Sequence, residues 1–327
     1  MSAARYSGGM ERVFDGQVPG GLRGGVVALG NFDGFHRGHQ AVVGAAVARA
    51  RTEGRPALVA TFDPHPARLF RPETPPFALT TTAQKLDLLE GFGVDATVVM
   101  PFDTIFAALS AEEFVGDWLR DRIGAAAVVS GADFTFGTRR SGDTAALAAI
   151  GVRHGIAASV VPAVVDGGGI VSSTRIRDLL RAGDPGEAAA LLTRPFTLRG
   201  QVEHGAKLGR TLGFPTANVV LGAYLRPAYG VYAVRARVAD EEGARWIDGV
   251  ANLGIRPMIE PPLELLEVHL FDWSGDLYGR EIDVALVAFL RPEWKLDGLD
   301  ALMRQIEADC VAARARLDAD AHVRPAR

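Results

Sequence analysis

The sequence predicts two modules of different class: an α/β half built on a parallel, Rossmann-like sheet, then a mainly β half that closes as a small barrel and ends in a helix. Three observations carry this. At 327 residues the chain exceeds what one hydrophobic core usually organises. Over its first half, short β-branched runs alternate with helix-like segments, the pattern of βαβ units. From about Pro195 the rhythm changes to strands punctuated by Gly and Pro, which reads as antiparallel structure.

Taken in order, strands are expected at residues 26–29, 57–62, 97–100, 127–130 and 159–161. The clearest helix begins at Ser110, where Glu113 completes a capping box and Phe114, Val115, Trp118, Leu119 and Ile123 share one face. Residues 181–186, Arg-Ala-Gly-Asp-Pro-Gly, end the helix before them, since glycine terminates helices and proline cannot continue them. The boundary is placed between Gly183 and Pro195, with modules at 1–186 and 187–327. Strands at residues 230–238 and 282–290 belong to the barrel. A closing helix sets Leu299, Leu302, Met303, Ile306, Cys310 and Ala313 on one face, which makes Cys310 a packing residue.

Composition narrows the function classes. Hydrophobic content of 48% and charged content of 23% are those of an ordinary soluble protein. A net charge of -4 offers no basic footprint for a nucleic-acid partner. Cys310 is the only cysteine, so no intrachain disulfide can form, which fits a reducing compartment. No signal-peptide h-region and no membrane-spanning apolar run is present, and the expected location is cytoplasmic. Homo-oligomer formation is left open.

Four motifs follow apolar strands in the first half. Residues 30–39 read Gly-Asn-Phe-Asp-Gly-Phe-His-Arg-Gly-His and run into an Ala/Val-rich helix. A glycine-broken turn feeding a helix N-terminus is an anion site, because free backbone N–H groups and the helix dipole point at the ligand. His36 and His39 would fall on the same side of the first turn, where imidazoles can hydrogen-bond a triphosphate and stabilise charge developing at its α-phosphorus. In isolation such a pair also fits exposed loop histidines or half of a metal site. Residues 172–178, Ser-Ser-Thr-Arg-Ile-Arg-Asp, put Arg175 and Arg177 in a first helical turn, which the dipole disfavours unless an anion is bound. Both could instead extend to solvent. In Ser-Gly-Ala-Asp-Phe-Thr-Phe-Gly at 130–137, Asp133 either contacts a nucleotide or makes a turn. Thr61 opens Thr-Phe-Asp-Pro-His-Pro, whose His65 is either functional or structural.

Together these motifs resemble the nucleotidyltransferase superfamily, specifically the FMN adenylyltransferase module of bacterial riboflavin kinase/FAD synthetases, over roughly residues 26–183. The resemblance implies that His36 and His39 stabilise the transferring group, with Asn31 and Asp33 beside them. It also implies Ser173, Thr174, Arg175 and Arg177 at the phosphates and Asp133 near ATP.

In the second half, residues 200–218 contain Gly205, Lys207, Gly209, Arg210 and Gly213 before Phe-Pro-Thr-Ala-Asn. Repeated glycines let backbone N–H groups approach phosphates, though the Walker pattern is absent. Thr216 and Asn218 are hard oxygen donors two residues apart, suited to Mg²⁺; an ordinary turn and edge strand fits equally. Farther on, strand alternation sets Leu266, Val268 and Leu270 against Glu267 and His269. Glu267 is then a rigidly held base or a solvated outward residue. These segments, with Ala-Asn-Leu-Gly-Ile-Arg-Pro at 251–257, resemble bacterial riboflavin kinase, a six-stranded Greek-key barrel with a trailing helix. The resemblance implies Gly205, Lys207, Thr216 and Asn218 at Mg-ATP, and Glu267 as base for the ribityl 5′-hydroxyl. Met258 departs from the family's usual threonine. The expected substrates and products are ATP, riboflavin, FMN and FAD, with Mg²⁺ as cofactor. Two rivals are a nucleotidyltransferase for another substrate with a regulatory, flavin-binding barrel, and a flavin-binding regulator without turnover.

Overall fold

The structure, a computed structural model, describes residues 9–14, 16–204, 213–239, 243–256, 263–295 and 297–319. The chain folds as two compact units, Met1–Thr74 with Thr82–Ser172, and Pro75–Thr81 with Ser173–Arg327.

The first unit holds β1 (Glu11–Val13), β2 (Val26–Leu29), β3 (Ala57–Asp63), β4 (Ala96–Pro101), β5 (Ala127–Gly131) and β6 (Ala157–Val161). They form one parallel sheet in the order β1-β4-β3-β2-β5-β6. Helix α1 (Arg37–Glu53) follows β2, and α2 (Pro66–Phe70) and α3 (Thr82–Gly91) follow β3. Next come α4 (Thr104–Ala108) and α5 (Ala111–Glu113) after β4, α6 (Thr144–Arg153) after β5, and a hairpin of β7 (Val165–Asp166) and β8 (Gly169–Ile170). The central strands are apolar throughout because the sheet is covered on both faces. Val26 and Ala28 enter one core with Val42, Val43 and Ala46 of α1. Val27 and Leu29 enter the other with Phe114, Val115 and Leu119.

The capping box at Ser110 and Glu113 is present, and the five apolar residues expected on one face are buried. The winding is the correction. Phe114–Ile123 is a π-helix, closed where the Gly124 and Ala125 N–H groups both reach the Leu119 carbonyl. Gly124 takes a left-handed φ of 69°, and Arg23 donates to the carbonyls of Arg120, Asp121 and Arg122 at the same end.

In the second unit, α7 (Ser173–Arg181) ends before Gly183, and Asp184 caps α8 (Pro185–Leu192), which starts on its proline. The barrel strands are β9 (Phe196–Glu203), β10 (Ala217–Val220), β11 (Gly230–Val238), β12 (Ile247–Arg256), β13 (Leu263–Leu270) and β14 (Glu281–Arg291). They close antiparallel in the order β10-β13-β12-β11-β14-β9, with β9 pairing β10 to complete the ring. Ala78 of the 75–81 segment bridges Tyr224, and the Ala228 N–H bonds to the Leu180 carbonyl, so these pieces pack with the barrel. Helix α9 (Leu299–Ala319) closes the chain. Its deepest stripe is Asp309, Ala313 and Leu317, whereas Leu299 is 52% exposed. Leu302, Met303, Ile306 and Cys310 are half-buried and Ala313 is buried, as expected of the apolar face, and a two-armed ion pair from Arg291 draws Asp309 inward beside them. Cys310 packs beside Ala313 and Leu317, and burial pushes its thiol pKa up.

Candidate active sites

Strand order places the first site. The run β4-β3-β2 extends to one side and β5-β6 to the other, so the order reverses between β2 and β5. Ligands of such sheets bind in the crevice at the carboxyl ends of the strands flanking that reversal. Residues 30–39 leave β2 there, and residues 130–137 leave β5.

The turn after β2 is bent sharply. Phe32, Gly34 and Phe35 take φ of 54°, 81° and 41°. Such angles strain phenylalanine, and the burial of both rings offsets that cost. The turn delivers His36 as N-cap of α1, where its Nδ1 accepts the His39 N–H at 3.4 Å. An Nδ1 that accepts leaves the proton of a neutral ring on Nε2. The two imidazoles stack 3.7 Å apart at 19°, and Phe32 packs edge-on against His39 at 5.3 Å. Gly38 suits this close approach: a Cβ there would lie 3.1 Å from His36 Cε1 and 3.3 Å from the Val171 carbonyl, close enough that the neighbours would have to shift.

Beneath the turn lies Lys85 of α3, which sequence reasoning missed. It is buried, and its Nζ donates to the Asn31 carbonyl at 3.0 Å, Thr61 Oγ1 at 3.1 Å and the Phe62 carbonyl at 3.4 Å. Thr61 also donates to the Asn31 carbonyl, at 2.9 Å. One ammonium thus ties the β2 turn to the end of β3. Burial lowers its pKa below the usual lysine value, opposed by the charges of Asp33 and Asp63. A lysine within an amphipathic helix carries no local sign of this role.

Asp33 is buried in the same turn, and Asn31 Oδ1 is buried without a hydrogen-bond partner among the described residues. Ser130 Oγ, at the end of the adjacent β5, is in the same condition. Asp133 is exposed just beyond, over the space left by Gly131. Asn31, Asp33, His36, His39 and Asp133 therefore gather at the ends of two paired strands. His65 caps α2 by accepting the Ala67 N–H at 3.1 Å. Ser173, Thr174, Arg175 and Arg177 lie on α7 in the second unit. Arg177 Nε donates to the Phe77 carbonyl at 2.9 Å, and its guanidinium sits 5.3 Å from the Phe77 ring.

The second site lies on the barrel. In register, Asn218 of β10 stands opposite Glu267 of β13, and Glu267 opposite Asn252 of β12. Leu266 and Val268 are buried while Glu267 and His269 are partly exposed, as the alternation requires. His269 Nδ1 lies 2.9 Å from the Pro215 carbonyl; an N–H on that atom would donate to it and hold the segment before Thr216. Thr216 and Asn218 line a cavity of about 430 Å³ with Trp273, Asp276 and Tyr278. A side chain at Gly275 would strike the Trp273 ring, so that glycine lets the indole fold over the wall. Gly205, Lys207 and Met258 lie outside the described residues.

Two family models match the two halves: FAD synthetase matches residues 20–175 and riboflavin kinase matches residues 192–317. The bifunctional riboflavin kinase/FMN adenylyltransferase of Escherichia coli K12 is 40% identical over 291 residues, 89% of this chain and 92% of that one. This chain belongs to the bifunctional riboflavin kinase/FMN adenylyltransferase family. The Pseudomonas fluorescens member is 42% identical over 301 residues, covering 92% of this chain and 95% of its own. A crystal structure of a Streptococcus pneumoniae protein described as a macrolide-efflux protein superposes with a TM-score of 0.83 at 32% identity, over 93% of this chain and 99% of that one. Among the described residues of this family member, no helix is long and apolar enough to cross a membrane.

Proposed function

We infer that the chain is a two-site, ATP-using enzyme of flavin-cofactor synthesis, phosphorylating riboflavin to FMN and adenylylating FMN to FAD. The observation that carries this reading is the presence of two separate polar sites, one at the sheet's strand-order reversal and one on the barrel. Adenylyl transfer is assigned to module 1–186 and phosphorylation to module 187–327. In the first reaction the FMN phosphate oxygen attacks the α-phosphorus of ATP, and pyrophosphate leaves. Ring N–H groups of His36 and His39 hydrogen-bond the phosphates as charge builds, with Asn31, Asp33 and Asp133 around the nucleotide and Ser173, Thr174, Arg175 and Arg177 supplying phosphate contacts.

In the second reaction Glu267 accepts the proton of the riboflavin 5′-hydroxyl as that oxygen attacks the γ-phosphorus, and ADP leaves. Thr216 and Asn218 offer neutral oxygens on one side of the strand, a donor set that fits Mg²⁺ shared with ATP phosphates. Held there, the ion would neutralise charge on the transferring phosphate. Gly205 and Lys207 complete the proposed nucleotide contacts. The proposed compartment is the cytoplasm.

Incubating the purified chain with riboflavin, ATP and Mg²⁺, then resolving flavins chromatographically, tests the reading. Successive appearance of FMN and FAD is expected, and His36→Ala is expected to cut FAD formation about 10²- to 10³-fold while FMN still forms. Absence of both products, or equal loss of both in the variant, refutes the assignment.

A further inference from the structure

The row on the barrel does not stop at Glu267. Direct partners on antiparallel strands project to the same side, and neighbouring strands lie about 4.8 Å apart. Asn252 therefore stands one strand beyond Glu267, on the side away from Asn218 and the cavity. Its amide is held in one orientation: Nδ2 donates to Glu293 Oε1 at 3.0 Å. Gly254 makes this possible, because a side chain there would overlap the Glu293 carboxylate. A carboxylate in that seat accepts only, so it takes the amide's donor end and turns Asn252 Oδ1 away. That oxygen is buried and has no hydrogen-bond partner among the described residues. A buried acceptor left in this condition calls for a donor from beyond the described residues, which a bound substrate supplies.

We propose that Asn252 is a substrate-binding residue of the kinase site, its Oδ1 accepting a hydrogen bond from a secondary hydroxyl of riboflavin's ribityl chain, with Glu293 as the positioning residue that fixes the amide. The inference rests on the reading of Glu267 as the base at the 5′-hydroxyl. Given that reading, the row runs from nucleotide to base to flavin. Riboflavin carries two kinds of donor, the ribityl hydroxyls and the ring imide N–H. The imide lies across the fused rings from the chain that bears the 5′-hydroxyl. Asn252 lies about 4.8 Å from Glu267, a span of only a few bonds, so a neighbouring hydroxyl of the same chain reaches it and the imide does not. A pure acceptor placed there selects a polyol side chain over a deoxygenated one.

Steady-state FMN formation by the full-length chain tests this, using riboflavin and analogues that each lack one secondary ribityl hydroxyl. Asn252→Ala is expected to raise the riboflavin KM about tenfold, the effect of one lost hydrogen bond, with the ATP KM unchanged. One deoxy analogue is expected to show the same penalty with the unmutated chain and no further penalty with Asn252→Ala, because variant and analogue remove the same bond. Glu293→Ala is expected to raise the riboflavin KM less, since the freed amide can turn. Should Asn252→Ala not fold, the unmutated chain still decides: equal KM for riboflavin and every deoxy analogue overturns the proposal. An unchanged riboflavin KM in Asn252→Ala, where Glu267→Gln has lost turnover, overturns the role of Asn252 alone. Undiminished turnover of Glu267→Gln overturns both.

Discussion

Lys85→Met is the perturbation that separates architecture from chemistry in the first unit. Methionine keeps the length and removes the charge, along with three hydrogen bonds to the Asn31 carbonyl, Thr61 Oγ1 and the Phe62 carbonyl. Hydrogen bonds to a charged group contribute about 1.5–3 kcal/mol each, so the gross loss is several kcal/mol. Against it stands the cost of burying an ammonium, itself several kcal/mol, which the variant escapes. The Asn31 carbonyl keeps its bond from Thr61, which limits the loss further. A net destabilisation of about 2 kcal/mol at neutral pH is expected, read from denaturant unfolding of the full chain. The pH dependence fixes the sign independently. Burial puts the folded pKa of Lys85 below its ordinary value of 10.5, so with rising pH the folded state releases the proton first. Between the two pKa values the unfolded chain holds more protons, and unfolding free energy therefore rises with pH. Lys85→Met lacks this increment, so the stability difference in favour of the unmutated chain grows as pH approaches 10.5. A difference that stays flat or shrinks over that window refutes the account of a buried, charged lysine.

Two further substitutions address the two sites separately. Gly38→Ala places a Cβ 3.1 Å from the His36 ring and 3.3 Å from the Val171 carbonyl, displacing a stacked pair. Because contacts this close ask the ring to yield by only a fraction of an ångström, FAD formation from supplied FMN is expected to fall, by less than the roughly 10²-fold of a 1 Å misplacement, while riboflavin phosphorylation persists; equal FAD rates would show that the ring position is not critical. Glu267→Gln keeps the shape of the side chain and removes its basicity. FMN formation is expected to drop about 10²- to 10⁴-fold with FAD formation from supplied FMN intact, and near-normal kinase turnover would leave Glu267 an ordinary strand residue.

What the sequence reveals follows from how locally each feature is encoded. Val26–Leu29 and Ala57–Asp63 are legible because a strand buried on both faces must be apolar at nearly every position. Strand β1 offers three residues of which only Val13 is buried, too few to show a period. The face from Phe114 to Ile123 is legible as hydrophobic, yet an α and a π winding bury the same five residues, so the pattern cannot choose between them. Residues 75–81 and 173–186 pack with the barrel because Ala78 bridges Tyr224 and the Leu180 carbonyl accepts from Ala228, and Tyr224 and Ala228 are remote in sequence from the helix break at Gly183.

The candidate sites divide along the same line. His36, His39, Asp133 and Glu267 stand at strand ends or on an alternating strand, where spacing alone predicts a shared side. Lys85, Asn252 and Glu293 act through partners 23 to 54 residues away, as in the contacts of Lys85 with Phe62 and Asn31. Lys85 sits where helix periodicity would place either a solvated charge or a core residue, and Asn252 lies within an otherwise apolar stretch of β12. Neither position advertises a role until register is known. In both units the residues proposed to meet substrate are thus written in local motifs, while those that hold or complete them depend on tertiary pairing. A residue of the second kind can lie inside a motif, as Asn252 does, and still show its role only through pairing. The register Asn218–Glu267–Asn252 makes the point concretely: three residues from three separate motifs become one row only when β10, β13 and β12 pair.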